Sequence, residues 1–372
     1  MRYALIIAGG SGTRLWPMSV KGLPKQLIPF IESDAQGAGG RSLLQEAVQR
    51  LEGLLPAEQV YVCAGAATRD IMLDKLPGLT AERFIAEPIG RDTLNAVGLG
   101  CAAIHAKDPD AVVAVFTADH LIEPQDELRK IVDHGFALAE SGPRTLVTFG
   151  IAPTHPATGY GYLQLGKAIN GHEALTVDKI KEKPAAAVAS TYHAAGPSKF
   201  LWNSGMFVWR ASAVMEAIAR FAPENHAGLT QIANAWGTPT QDAVLNDVFP
   251  TLHKISVDFA VMEPASADPD FTVAAVPMPL SWLDVGSWPS FGETLTPDAQ
   301  GHAASGGQAI HLDSKNILTA NDQPGHLITT IGCEDLIVIH TAKATLVCRA
   351  DQAERIKELH ARVGEEAGNE YL

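Results

Sequence analysis

The chain has 372 residues, 46% of them apolar and 19% charged, with a formal net charge of −14. That length allows a large core and more than one domain, and the apolar fraction is that of an ordinary globular protein. The acidic balance excludes a nucleic-acid partner, which needs a basic stripe, but not an anionic small substrate, because a few cations focused in a cleft still attract phosphate.

Strand-like and helix-like runs alternate through the first half. Residues 3–7 (YALII) predict a strand and 42–55 (SLLQEAVQRLEGLL) a helix. Residues 59–65 predict a strand, 93–107 a helix, and 111–119 (AVVAVFTAD) a buried strand. A helix over 125–141 and a strand over 145–151 follow. The alternation predicts an α/β fold with a Rossmann-like, mainly parallel mixed sheet flanked by helices. Ligands of such sheets bind at the carboxyl ends of the strands. After residue 297 the texture changes: DAQGHAASGGQ (298–308) reads as a linker, followed by short β-rich pieces and a terminal helix over 351–368. The expected division is a large α/β domain over 1–297 and a small β-rich, β-helix-like domain over 298–372. No long repeat is visible.

The four cysteines, Cys63, Cys101, Cys333 and Cys348, contain no CxxC pair, which fits free thiols in a reducing compartment better than disulfides or zinc. The apolar run over 3–8 is too short for a signal peptide, and nothing approaches a membrane span, so a cytoplasmic protein without a membrane partner is expected.

The stretch IIAGGSGTRLWPMSVKGLPKQLIPF (6–30) follows the first strand with Gly9, Gly10 and Gly12, then Arg14 and Lys25. The glycines alone allow either a tight connection or a phosphate cradle of converging N–H groups. Their spacing is neither GxGxxG nor GxxxxGK[ST]. Arg14 offers a planar fork and Lys25 a point charge, and Pro17 and Pro24 stiffen the chain between them. That stiffening favours phosphate binding over a solvated turn.

The segment GGSGTRLWPMSVKGLPKQ resembles the signature of sugar-1-phosphate nucleotidyltransferases, most closely the mannose-1-phosphate guanylyltransferases. AEPIGRDT (86–93), TADH (117–120), TGYGYL (158–163), KEKP (181–184), WNSGMFVWRA (202–211) and WLDVGSW (282–288) continue the resemblance in order. The last β-rich stretch and final helix resemble the family's C-terminal extension; no counterpart of the isomerase domain of longer, bifunctional members is expected.

The resemblance implies the nucleotidyltransferase fold and a Mg²⁺-dependent reaction of GTP with mannose 1-phosphate, giving GDP-mannose and diphosphate. It implies catalytic roles for Arg14 and Lys25, and nucleotide binding by Gly9, Gly10, Ser11, Gly12, Thr13, Glu87, Pro88 and Gly90. Gly161, Glu182, Lys183 and Asn203 would bind the sugar phosphate, and Asp119 and Asp284 the metal. Read without the family, Asp119 is a turn or capping aspartate and the Glu182–Lys183 pair a solvated charge run. Asp258 matches a family segment and is expected to give structural support. Arg91 and Asp92 are expected to pair with each other or to contact the nucleotide. The chain departs from the family at Val20 (commonly Arg), Thr117 (commonly Pro) and Asp92 (commonly Asn). Another phosphorylated sugar such as a heptose, a different base, or a non-catalytic nucleotide-sugar regulator remain as alternatives. The glycine spacing disfavours a nicotinamide enzyme. The β-rich tail is compatible with a homodimer or with packing on its own chain.

Overall fold

The computed structural model describes residues 1–10, 12–29 and 40–372, which leaves Ser11 outside the described residues. The strands in chain order are β1 (Arg2–Ile7), β2 (Val60–Gly65), β3 (Phe84–Glu87), β4 (Val112–Thr117), β5 (His120–Glu123), β6 (Thr145–Ile151), β7 (Tyr162–Ala168), β8 (Leu175–Lys181), β9 (Phe200–Arg210), β10 (Thr272–Pro277) and β11 (Ser281–Asp284). The C-terminal strands are β12 (Ala303–Ser305), β13 (Gln308–Leu312), β14 (Leu318–Asn321), β15 (Leu327–Ile331), β16 (Leu336–His340) and β17 (Thr345–Arg349). By compactness the chain forms two units: Met1–Gly9, Ala47–Ala118 and Ile122–Trp282 make the first, and Gly10–Glu46, Asp119–Leu121 and Leu283–Leu372 the second.

The first unit is built on a nine-stranded sheet of order β3-β2-β1-β4-β9-β6-β10-β8-β7. β3, β2, β1 and β4 are parallel, as are β6 and β10, while β9 runs antiparallel to its neighbours. β4 reads VVAVFT because both faces of a central parallel strand are covered, which removes any polar alternation. Ile7 pairs with Thr117, so the chain leaves β1 and β4 at the same carboxyl edge. The helices Asp92–Lys107 and Gln125–Ser141 and the strands β1, β2, β4 and β6 fall within a residue or two of expectation. The helix begun at Leu43 stops at Gln49, earlier than expected. Beyond it the backbone closes tighter turns such as Leu54 N–H to Leu51 O, and Gly53 takes φ +82°, which ends helical progress.

The second unit holds the C-terminal strands. β12, β14 and β16 form a parallel ladder closed by antiparallel β17, and β13 pairs in parallel with β15. From β12 to β16 successive strands alternate between two sheets, which is a short β-helix. The linker expected over 298–308 contributes β12, because Ala303 is buried in this core and its N–H donates to Ile317 O. β12 pairs with β14 at an offset of 15 residues, while β13 lies over β15 and β14 over β16 at an offset of 19, as in the Asn316 Nδ2 to Asp335 Oδ1 hydrogen bond of 2.9 Å. Both residues hold positive φ at equivalent corners. The repeat escapes the sequence because only backbone shape and corner residues recur. The terminal helix is Ile356–Glu366, preceded by a 3-10 segment Ala350–Arg355. All four cysteines are free, and no helix among the described residues is long and apolar enough to cross a membrane.

Candidate active site

In the second unit the chain after Gly10 turns through Gly12, at φ +59°, into a single 3-10 turn, Thr13–Leu15. A Cβ on Gly12 would lie 2.4 Å from Ser19 Oγ and 2.9 Å from Lys25 Cβ, so both conformation and space demand glycine there. Leu15 and Trp16 are buried beside Val285, Trp288, Ala353 and Ile356. The Trp16 indole donates to Tyr371 O at 2.8 Å, and the Trp288 indole donates to Trp16 O at 3.0 Å. These contacts hold the loop that presents Arg14 and Lys25.

Lys25 Nζ donates to Asp119 Oδ2 at 2.6 Å, with the two side chains 11% and 23% exposed. Asp284 arrives from a segment 165 residues later, and the Val285 N–H donates to Asp119 O at 3.0 Å, which fixes the two aspartates side by side. Ligand atoms of Asp119, His120 and Asp284 lie within 4.8 Å of one another. Burial works against ionisation of Asp119, but the Lys25 charge, followed by the His120 charge and the Lys25 hydrogen bond, outweighs it and holds this carboxyl below the usual range. Asp284 is pushed up, first by burial and then by the Asp119 charge. Two opposed carboxylates of this kind suit a hard divalent cation, which favours the ionised form of both. The position of a Cβ on Gly286 would lie 3.1 Å from Asp284 Oδ1 and 3.2 Å from Arg14 Nη2, so the guanidinium approaches the same turn as the aspartate. Arg14 Nη1 also donates to Glu354 Oε1 at 3.0 Å. His120, buried with Nε2 3.7 Å from Asp119 Oδ1, and Glu354 were not assigned roles from sequence. Adjacency to Asp119 is a usable signal for His120; nothing local marks Glu354. Val20, at the position where the family commonly carries Arg, packs against this unit's core.

In the first unit Glu87 closes β3 with 4% of its surface exposed. Burial raises its carboxyl to about 7, and a Cβ on Gly9 would lie 3.4 Å from its Oε2. Gly90 is exposed, with open space where a Cβ would stand. Arg91 donates to Pro250 O rather than to Asp92, and no Arg91–Asp92 ion pair occurs among the described residues. Asp92 instead sits at φ +66° at the start of the helix Asp92–Lys107 and accepts from Thr93 N at 2.8 Å. A short polar side chain that bonds its own backbone tolerates that conformation, so Asp does here what Asn would do.

A second polar group in the first unit gathers Gly161, Glu182, Asn203 and Asp258. Asn203 N–H donates to Gly161 O at 2.8 Å, its Nδ2 donates to Asp258 Oδ1 at 2.7 Å, and its Oδ1 accepts from Thr148 at 2.7 Å. The Asn203 amide is thereby locked in one orientation. A Cβ on Gly161 would stand 2.4 Å from Glu182 Oε2, so glycine makes the room that the carboxylate occupies. Burial raises the Glu182 carboxyl, while burial followed by the Glu182 charge raises Asp258 to about 7. Lys183, at φ +41°, is exposed with Nζ 3.5 Å from Glu182 Oε1. Tyr160 and Trp282 pack edge-on with ring centroids 5.2 Å apart, and Trp202 meets Tyr160 at 5.1 Å, which forms an aromatic wall.

A family model described as nucleotidyl transferase matches residues 3–300, and one described as MannoseP isomerase/GMP-like beta-helix domain matches 307–363. The chain is 34% identical to mannose-1-phosphate guanylyltransferase RfbM of Salmonella typhimurium, over 99% of this chain and 73% of that protein. It is also 34% identical to xanthan biosynthesis protein XanB of Xanthomonas campestris, over 96% of this chain and 72% of that one. Among solved structures, mannose-1-phosphate geranyltransferase from Thermus thermophilus superposes with a TM-score of 0.83 at 29% identity, covering 97% of this chain and 99% of that one.

Proposed function

Because the chain belongs to the nucleotidyl transferase family, with mannose-1-phosphate guanylyltransferases among its relatives over nearly its whole length, we propose that it joins mannose 1-phosphate to GTP, giving GDP-mannose and diphosphate. The observation that carries the reading is the convergence of Arg14, Lys25, Asp119 and Asp284 from well-separated stretches of one chain. A phosphate oxygen of the sugar phosphate forms a bond to the α-phosphorus of GTP. The bond from that phosphorus to the bridging oxygen breaks, and the electron pair leaves with diphosphate. The attacking monoester is already anionic at neutral pH, so positioning and charge neutralisation suffice and no side chain need accept a proton.

Asp119 and Asp284 would hold a Mg²⁺ ion, which would supply neutralisation of the reacting phosphates. Lys25 keeps Asp119 ionised and places positive charge beside it, while Arg14 presents its fork to the leaving diphosphate. Gly10, Gly12 and Thr13 bring backbone close to the nucleotide, and Glu87, with Gly9, Pro88 and Gly90, serves the guanine N1 and N2 donors. Gly161 admits backbone close to the sugar, the fixed Asn203 amide and Glu182 take its hydroxyls, and Lys183 takes its phosphate. Asp258 holds Asn203 in place. The matched spans 3–300 and 307–363 support a catalytic domain over 1–297 and a β-helix domain over 298–372. The free-thiol pattern supports a cytoplasmic location.

The test is diphosphate release with Mg²⁺, pairing GTP, ATP, UTP and dTTP each with mannose 1-phosphate, glucose 1-phosphate and a heptose 1-phosphate. Fast release with GTP and mannose 1-phosphate alone is the expected result. Release only with another pair would move the specificity, and none from any pair would overturn the reading.

A further inference from the structure

Resting on the reading of Arg14 as the diphosphate-holding cation, we propose that Glu354 is a positioning residue for the reaction, supplied by the C-terminal segment to aim the Arg14 guanidinium. Arg14 Nη1 donates to both Glu354 oxygens, at 3.0 and 3.2 Å, across 340 residues of sequence. The opposite nitrogen, Nη2, lies against the Asp284–Gly286 turn. The guanidinium is therefore held at one corner by Glu354, while its other corner lies beside the turn that carries Asp284.

Both ends of the pair are mounted on buried neighbours. Leu15 follows Arg14, Ala353 precedes Glu354, and Ile356 lies two residues beyond; all three belong to one core. The carboxylate thus sits on a short 3-10 segment, Ala350–Arg355, whose backbone is anchored, while the Arg14 side chain remains 42% exposed and the Glu354 side chain 67%. An exposed pair of this kind adds little to stability. What it does is restrict a long side chain that otherwise has to be ordered when a phosphate binds. Ordering one such side chain weakens binding by about two- to tenfold.

The experiment measures binding of inorganic diphosphate with Mg²⁺ by calorimetry to the full chain. The variants are Glu354→Ala and Glu354→Gln, each in the parent and in an Arg14→Ala background, with turnover of GTP and mannose 1-phosphate in parallel. Glu354→Ala is expected to weaken diphosphate binding by about two- to tenfold and raise the KM for GTP, with partial rescue by Gln, which keeps an acceptor oxygen. The thermal midpoint should not move, and in the Arg14→Ala background the Glu354 effect should vanish. Tighter binding on removing Glu354 would make it a competitor of phosphate and overturn the proposal. An equal loss in both backgrounds, or no loss, would overturn it as well. Failure of turnover in the parent, with the binding differences intact, would instead count against the proposed reaction and leave the positioning role standing.

Discussion

Replacing Lys25 with alanine separates the electrostatic account of the site from a merely steric one. Lys25 is the 2.6 Å partner of Asp119, and Asp284 faces the same carboxyl. Truncation leaves one carboxylate without its cation and opposite a second carboxyl. A fully buried pair broken in this way costs roughly 3–5 kcal/mol. The residual exposure of 11% and 23% lets solvent screen part of the loss, so about 2–3 kcal/mol is expected at pH 7.

The pH dependence follows from the sign of the shift. Asp119 is held below its unfolded value, so it contributes stability above that value and loses it as pH falls through the lower folded one. Without Lys25 the largest part of that contribution is lost, and burial opposes ionisation with only the His120 charge and a backbone hydrogen bond against it. The gap between parent and variant should therefore be full from neutrality down to about 4 and narrow as pH falls from there towards about 2, where Asp119 protonates in the folded parent. Urea unfolding of both proteins from pH 7 down to 2.5, repeated in an Asp119→Asn background, reads this directly. A gap independent of pH, or an undiminished cost once Asp119 is neutral, would refute the reasoning. In the proposed reaction, Lys25→Ala and Asp119→Ala should each lower turnover by about 10² to 10³, and activity within about threefold of the parent would remove them from the mechanism.

Gly12→Ala forces a left-handed residue and drives a methyl into Ser19 and Lys25; a stability loss of at least about 1–2 kcal/mol and a fall in kcat/KM are expected. Gly22→Ala, on the same loop with open space around it, is the control and should change neither. Gly161→Ala displaces the Glu182 carboxylate and should raise the KM for mannose 1-phosphate by about ten- to a hundredfold, the worth of a hydrogen bond to a charged group, with little effect on the KM for GTP. Glu87→Gln removes a carboxyl whose raised value makes the folded state lose stability as pH climbs from the usual 4.5 to about 7. The variant should therefore show a flatter stability profile, gaining up to about 3 kcal/mol relative to the parent at pH 8. It should also lose discrimination for guanine, measured as the GTP to ATP ratio of kcat/KM.

The α/β class and most elements of the first half are legible in the sequence because each depends on local periodicity, and the β-rich character of the tail is legible from its short apolar runs between turn residues, although its coil repeat is not. Continuous apolar runs such as that of β4 mark covered strands, and spaced apolar positions mark the helices. The chemistry of the glycine loop is likewise local: Gly12 with Arg14 and Lys25 asks for an anion whatever surrounds them. Full-length similarity supplies the family from the order of such segments, each readable by itself.

Long-range pairing is not local, and tertiary structure alone decided it. The contact between Lys25 and Asp119, the approach of Asp284 and the pinning of Arg14 by Glu354 depend on how separate segments pack, which no window of sequence encodes. The early stop of the first helix, the strand inside the expected linker and the partner of Arg91 have the same origin. So does ionisation: isolated Asp119 and Asp284 are chemically identical carboxylates, burial opposes the charge of both, and only the cations beside Asp119 override it there, while at Asp284 burial and then the Asp119 charge push the carboxyl up.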